Sequence, residues 1–237
     1  MSGVVSFFAS LVQFAAENSD RLLRLFGEHI VLAVETLVVA LPIAIVLGIA
    51  ISYNERAATV VLWIASILLT IPSIAFFGML VPILGIGTPP VIVALVAYSQ
   101  LPVIRNTYLG VTGVDPAAIE AGTGLGMNRF ERLWRVRLPV ALPVVMAGVR
   151  NAVVLLVGLA AIGAFIGGPG LGFFIFYGIN QGNTAMIVVA TVLVSVLALA
   201  FDYLFAVTER GLRLRNGEDL EPTYTTRLLD AIRTQLQ

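Results

Sequence analysis

An all-α integral membrane protein with five membrane-spanning helices is the fold class this sequence predicts, and three observations lead there. The first is composition: of 237 residues, 59% are hydrophobic and only 12% are charged, about half the charged share of an ordinary soluble domain. The second is a set of five long apolar stretches, Ile30–Ser52, Thr59–Val81, Pro90–Val111, Ala141–Ile166 and Ala185–Thr208, each able to cross a hydrocarbon core of roughly 30 Å. The third is the placement of the arginines. An odd number of spans puts the termini on opposite sides. With the N-terminus outside and the C-terminus inside, Arg56, Arg105, Arg129, Arg132, Arg135, Arg137, Arg210, Arg213, Arg215, Arg227 and Arg233 all fall inside, and Arg21 and Arg24 stay outside. That is the distribution the positive-inside rule asks for.

Residues 1–29 read as an N-terminal segment outside the spans. Its apolar part, Val4 to Ala16, is too short to cross a bilayer and suits a helix lying in the interface, with an unstructured end as the alternative. No cleavable signal is expected, because such a signal opens with positive charge and the first arginine is Arg21. His29, the only histidine, is expected at the outer headgroup level. Residues 30–215 form the transmembrane domain, and the polar tail 216–237 is expected on the cytoplasmic side, as a helix or an unstructured end.

Within the spans, Pro42, Pro72 and Pro102 stand near the middle of the first three. Proline removes a helix hydrogen bond and bends the axis, so kinked helices around a pathway are one reading. The other is that membrane helices tolerate proline. Gly163 and Gly167 form a small-xxx-small pair that allows close helix contact. Charges in apolar runs ask for partners, and Glu35, Arg150 and Asp202 are such charges. Arg150 lies roughly 16 Å and Asp202 roughly 12 Å from the inner side at about 1.5 Å per residue. The depths allow an ion pair tying the fourth and fifth helices. Snorkelling of Arg150 to the inner headgroups, with Asp202 in a wet vestibule, is the alternative.

Composition also excludes chemistry. There is no cysteine, and all fourteen basic side chains are arginines. Without lysine there is no phosphate-binding loop of the nucleotidase kind, so the chain is expected to carry no nucleotide site. One histidine leaves no material for histidine triads or multi-histidine metal sites, and no enzyme activity is expected. A formal net charge of zero suggests no nucleic-acid partner.

The segment EAGTGLGMNRFERLWRVRLP, Glu120 to Pro139, breaks the apolar pattern with four arginines, two glutamates and three glycines. Asp115-Pro116 starts a helix, with aspartate at the N-cap and proline at the first helical position. Gly122, Gly124 and Gly126 are expected to break it. Asn128 with Glu131 resembles a capping box that opens a second helix, with Phe130, Leu133 and Trp134 on one face and Arg129, Arg132 and Arg135 on another. Leu138-Pro139 is expected to end that helix and turn the chain back into the membrane. An arginine-rich loop resting on anionic lipid headgroups would account for the charges. A docking element for a cytosolic partner would account for the caps and glycines as well.

The same residues resemble a family. Glu120-Ala121-Gly122, then Gly126, Val136 and Leu138-Pro139, are similar in type and spacing to the cytoplasmic coupling loop of bacterial ABC importer permeases, with Gly122 in place of an alanine and Val136 in place of an isoleucine. The stretches TIPSIAFFGMLVPILGIGTPPVIVALVAYSQLPVIRNTYLGV and FIGGPGLGFFIFYGI resemble the osmoprotectant branch of these permeases, which handles glycine betaine, choline and carnitine. The resemblance covers most of Ile30 to Arg215.

It implies a type I importer permease, methionine-importer-like in fold, with a coupling helix between the third and fourth spans in a loop at 115–139. It implies ATP and magnesium on separate ABC ATPase subunits, with no cofactor in this chain. A second permease subunit, identical or paralogous, and an external substrate-binding protein would complete the assembly in the bacterial or archaeal cytoplasmic membrane. The coupling residues carried over are Glu120, Ala121, Gly122, Gly126, Leu138 and Pro139. For a quaternary ammonium held by cation–π attraction, Phe76, Phe77, Tyr98, Phe165 and Tyr177 are candidates to line a weak path, against the plainer reading that they pack or face lipid. An ABC permease for another small solute (an amino acid such as methionine, or a sulfonate) and an ATP-independent secondary transporter or channel are the alternatives.

Overall fold

The computed structural model describes residues 2–217. The expected tail therefore lies, from residue 218 on, outside the described residues, together with Arg227 and Arg233. The described residues form ten α-helices: α1 (Ser2–Glu17), α2 (Ser19–Ile51), α3 (Glu55–Thr70), α4 (Ser73–Leu84), α5 (Thr88–Thr112), α6 (Pro116–Gly124), α7 (Arg129–Arg132), α8 (Leu138–Gly163), α9 (Gly172–Gln181) and α10 (Thr184–Arg215). A wide π turn, Leu133–Arg137, joins α7 to α8, and a 3-10 turn, Ala164–Ile166, follows α8.

The five-span arrangement does not hold. Three helical segments are long and apolar enough to cross a membrane, namely Ser19–Ile51, Arg129–Ile166 and Thr184–Arg215. A fourth span is reached only if α3 and α4, bent by 97° at their junction, are taken together. Three spans keep the termini on opposite sides, as an odd count does, and a fourth would bring them to the same side.

Two physical causes account for the difference. The expected second span breaks at Pro72, because a residue before proline is pushed out of the helical region. Ile71 accordingly sits at φ −69°, ψ 127°, and Pro72 is extended as well. The expected third span forms α5, but that helix carries Ser99, Gln100, Arg105, Asn106 and Thr107 and does not qualify by apolarity. It is an interior helix, packed against α2, α3, α4 and α8. Ser99, Gln100 and Thr107 are buried inside the protein.

Close packing around α5 depends on small residues. A Cβ on Gly148 of α8 would stand 2.6 Å from Asn106 Cβ and 2.7 Å from the Pro102 carbonyl oxygen, and one on Gly163 would stand 2.7 Å from Val91 Cγ1. Gly163 thus lets α8 approach α5. Gly167 has a different task, since it ends the 3-10 turn in the left-handed region at φ 80°.

Long-range contacts define two ends. At one, Gly87 N–H donates to the Ile166 carbonyl at 2.9 Å, and Phe14 of α1 packs edge-on to Phe174 of α9. His29 belongs to this end but not to its surface. It is fully buried, with Nε2 3.1 Å from the Val157 carbonyl oxygen. The expected interfacial histidine is displaced inward because Gly170, at φ 107°, leaves room for the ring: a Cβ there would lie 2.8 Å from Nδ1. The other end gathers Tyr53, the Pro116–Arg137 segment, the start of α8 and the end of α10. There the Asn216 side-chain amide donates to the carbonyls of Pro139 at 3.2 Å and Val140 at 3.4 Å.

Candidate functional site

The Glu120–Pro139 segment is shaped by local hydrogen bonds. Asp115 Oδ1 accepts from Ala117 N–H at 2.8 Å and Pro116 occupies the first turn. The helix then runs through Gly122 and Gly124 instead of breaking at them. It ends in a Schellman arrangement: Met127 N–H donates to the Gly122 carbonyl at 3.1 Å, and Gly126 N–H to the Thr123 carbonyl at 2.9 Å. That motif needs a left-handed residue, which Gly126 supplies at φ 78°.

Asn128 and Glu131 form a reciprocal capping box, each side chain accepting from the other's backbone N–H at 2.9 Å. Arg132 Nη1 donates to the Thr123 hydroxyl and ties α6 to α7.

Beyond α7 the expected stop is absent. The helix passes through Leu138 and Pro139 into α8, with Leu138 N–H donating to the Leu133 carbonyl. Proline lacks an N–H and its ring crowds the carbonyl four residues back. The wide turn accommodates that residue without ending the helix.

The segment leaves apolar groups in the open. Leu125 is 77% exposed, Phe130 68% and Trp134 57%, and the two rings lie 5.9 Å apart. Leu133 turns inward. Glu120, Ala121, Arg129 and Arg135 are exposed beside them, Gly122 is buried, Leu138 is half-buried and Pro139 is exposed. A rigid element offering an aromatic pair, an aliphatic tip and charged groups can dock into a partner's cleft without refolding.

A second constellation joins α8 to α10. The structure brings Arg150 and Asp202 together in a bidentate pair, Nε on Oδ1 at 2.5 Å and Nη2 on Oδ2 at 2.7 Å. Arg150 Nη1 also lies 4.0 Å from Glu209 Oε2, and Glu209 Oε1 holds Arg213 Nη2 at 2.9 Å. Glu209 and Arg213 were not singled out from the sequence. Their signal was the spacing from Asp202, two and three turns along one helix face. Glu35 is exposed on α2.

The five aromatic candidates fall into two groups. Phe76 meets Tyr98 edge-on at 5.5 Å, and the Tyr98 hydroxyl donates to the Ile71 carbonyl at 2.7 Å. That carbonyl is one the break at Pro72 frees from the helix ladder. Phe77 beside them is fully buried. At the other group, exposed Phe165 tilts against Phe176 and Tyr177 stacks on Phe173. Arg21 already lies over this cluster, its guanidinium 4.3 Å from the Phe173 ring centre.

Comparison with known proteins matches residues 40–214 to the model of the family described as binding-protein-dependent transport system inner membrane component. The chain belongs to that family. The permease is 40% identical over 200 residues to the glycine betaine/carnitine/choline transport system permease protein OpuCB of Bacillus subtilis, covering 84% of this chain and 92% of that one. It is 36% identical to the osmoprotectant import permease protein OsmW of Salmonella typhimurium, covering 85% and 99%. Its fold resembles a chain of the inward-facing MetNI methionine ABC transporter, with a TM-score of 0.68 and 23% identity over 81% of this permease and 95% of that chain.

The protein is thus a multi-pass membrane permease subunit of an ABC importer, a transport subunit and not a catalyst. Among the described residues no group of three or more His, Cys, Asp or Glu side chains could hold a metal ion.

Proposed function

We propose that this permease moves quaternary-amine osmoprotectants of the glycine betaine, choline and carnitine type, and that Glu120–Pro139 couples their passage to ATP. The substrate class rests on relatives named for those solutes that match over more than four-fifths of both chains. The coupling role rests on one observation above the rest: the segment built from the locally capped α6 and α7 and the wide turn after them displays Leu125, Phe130 and Trp134 to solvent at the arginine-bearing end. Arginines favour the cytoplasmic face, so this end faces the ATPase. Glu120, Ala121 and Gly126 shape the docking unit, while Leu138 and Pro139 carry its displacement into α8.

The partners in this reading are two ABC ATPase subunits holding ATP and magnesium, a second permease subunit and an external substrate-binding protein. Closure of the ATPases pushes α6 and α7 and rocks the α5–α8 core between two states. Phe165 and Tyr177, the exposed members of the aromatic set, are the candidates in this reading to meet a cation in transit. The test is uptake of labelled glycine betaine into proteoliposomes containing the full complex. Accumulation only with ATP and binding protein supports the reading. Accumulation of methionine but not glycine betaine overturns the substrate class, and ATP-independent flux overturns the coupling.

A further inference from the structure

A small cavity lies between the α2–α3 turn and the wide turn before α8. Tyr53, Arg129, Arg132 and Arg137 line it, and its volume is about 190 Å³. Three arginines therefore line one space with no acidic residue among them, and one of them, Arg132, also donates from Nη1 to the Thr123 hydroxyl. The nearest carboxylate in sequence, Glu131, is turned to the Asn128 N–H.

The wide turn makes this convergence. In an uninterrupted α-helix the residue one turn beyond Arg132 is Val136. With bonding to the fifth residue it becomes Arg137, while Val136 faces Gly122, its Cγ2 3.5 Å from where a Cβ there would stand.

Like charges lining one small space repel one another, and an oxyanion relieves that repulsion. Arginine forks match phosphate oxygens in pairs, and the Tyr53 hydroxyl can donate to another. The cavity is smaller than the roughly 300–1,000 Å³ of pockets that take whole drug-sized molecules, so it suits a headgroup.

Depth points to the source. Tyr53 stands two residues past Ile51, where the apolar α2 ends, and Arg137 immediately precedes Leu138, where apolar α8 begins. Both mark the level at which membrane helices leave the hydrocarbon, where tyrosine and arginine meet lipid phosphates. Leu125, Phe130 and Trp134 do not line the cavity, which shares only Arg129 with the docking face.

We propose that this cavity binds a phosphate group, presented by the headgroup of an anionic glycerophospholipid, which bridges the α2–α3 turn to the coupling element. The proposal goes beyond the coupling reading and stands without it. To test it, the full-length permease is purified from nanodiscs of equal phosphatidylglycerol and phosphatidylcholine, and retained lipid is counted by native mass spectrometry.

The wild type should retain phosphatidylglycerol preferentially. Near an anionic surface each arginine is worth about fivefold, so Arg129→Gln with Arg137→Gln should lower retention about 25-fold. Arg105→Gln, which removes one charge outside the cavity, should leave it unchanged. Absence of a phosphatidylglycerol preference in the wild type overturns the proposal, whether or not the double variant folds, as does equal retention in wild type and double variant. A second arm adds inorganic phosphate to protein in pure phosphatidylcholine. A rise in melting temperature equal to that given by phosphatidylglycerol overturns the lipid as the source. If the double variant keeps its lipid but loses the ATPase on co-purification, the cavity holds a partner's carboxylate and the proposal fails.

Discussion

Residues 115–132 and helix α5 are held by different means. The first region is shaped by hydrogen bonds between residues two to five apart: the Asp115 cap, the Gly126 turn and the Asn128–Glu131 box. It leaves Leu125 and Phe130 in solvent. Helix α5 has polar groups along its length and is fixed by the helices around it, with Val91, Ala94, Leu95, Val103 and Val111 at zero exposure. The difference teaches how a push could be transmitted. A unit that keeps its own shape can be moved as a body, and a close-packed interior responds by shifting between discrete packings.

The comparison breaks most severely at the interior. Gly148→Val puts a branched side chain where even a Cβ meets Asn106 and the Pro102 carbonyl. It should cost about 3 kcal/mol, read as the largest drop in detergent melting temperature of any variant here. A melting temperature like that of the wild type would mean the α5–α8 interface is loose.

The charge cluster comes next. Arg150→Met leaves Asp202 without its bidentate partner in a membrane helix, at a cost of about 2.5 kcal/mol. Asp202→Leu should cost less, because Glu209 already stands 4.0 Å from Arg150 and can take it over. Replacing both should recover part of the loss. Melting temperatures of the three variants check the order, and simple additivity would dissolve the pair.

The coupling segment should show the smallest effects, and of opposite sign at two glycines. Gly126→Ala forces a side chain into the left-handed region, at about 1–2 kcal/mol. Gly122→Ala should instead stabilise by about 0.5–1 kcal/mol, because a Cβ there makes ordinary contacts at 3.5 Å with Arg132, Met127 and Val136. Melting curves that move the same way for both would show that α6 does not end where the Schellman turn places it.

The same contrast explains what could be read from the sequence. The Asp115 cap and the Asn128–Glu131 box were legible because both partners stand within four residues of each other. Arg150 and Asp202 were open to pairing by depth alone, since a charge in an apolar run has few places to go. What depends on distant chain was not legible. Whether Pro139 ends a helix or is absorbed by a wide turn depends on what holds the start of α8, including Asn216 from α10. The burial of His29 depends on space left by Gly170, more than a hundred residues later. An apolar run reads alike whether it faces lipid or protein, so α5 looked like a span. The right-angle break at Pro72 looked like a kink because proline's effect on Ile71 is local but the direction of α4 is set by α5 and α8.

The central claim is that Glu120–Pro139 transmits ATPase closure to the helices. Its most direct test is ATP-driven uptake of labelled glycine betaine in proteoliposomes of the full complex carrying Glu120→Phe or Trp134→Ala. Both side chains are exposed, so melting temperature and insertion should match the wild type. Uptake should fall to background while the ATPase subunits still hydrolyse ATP. Uptake at the wild-type rate in both variants would contradict the claim.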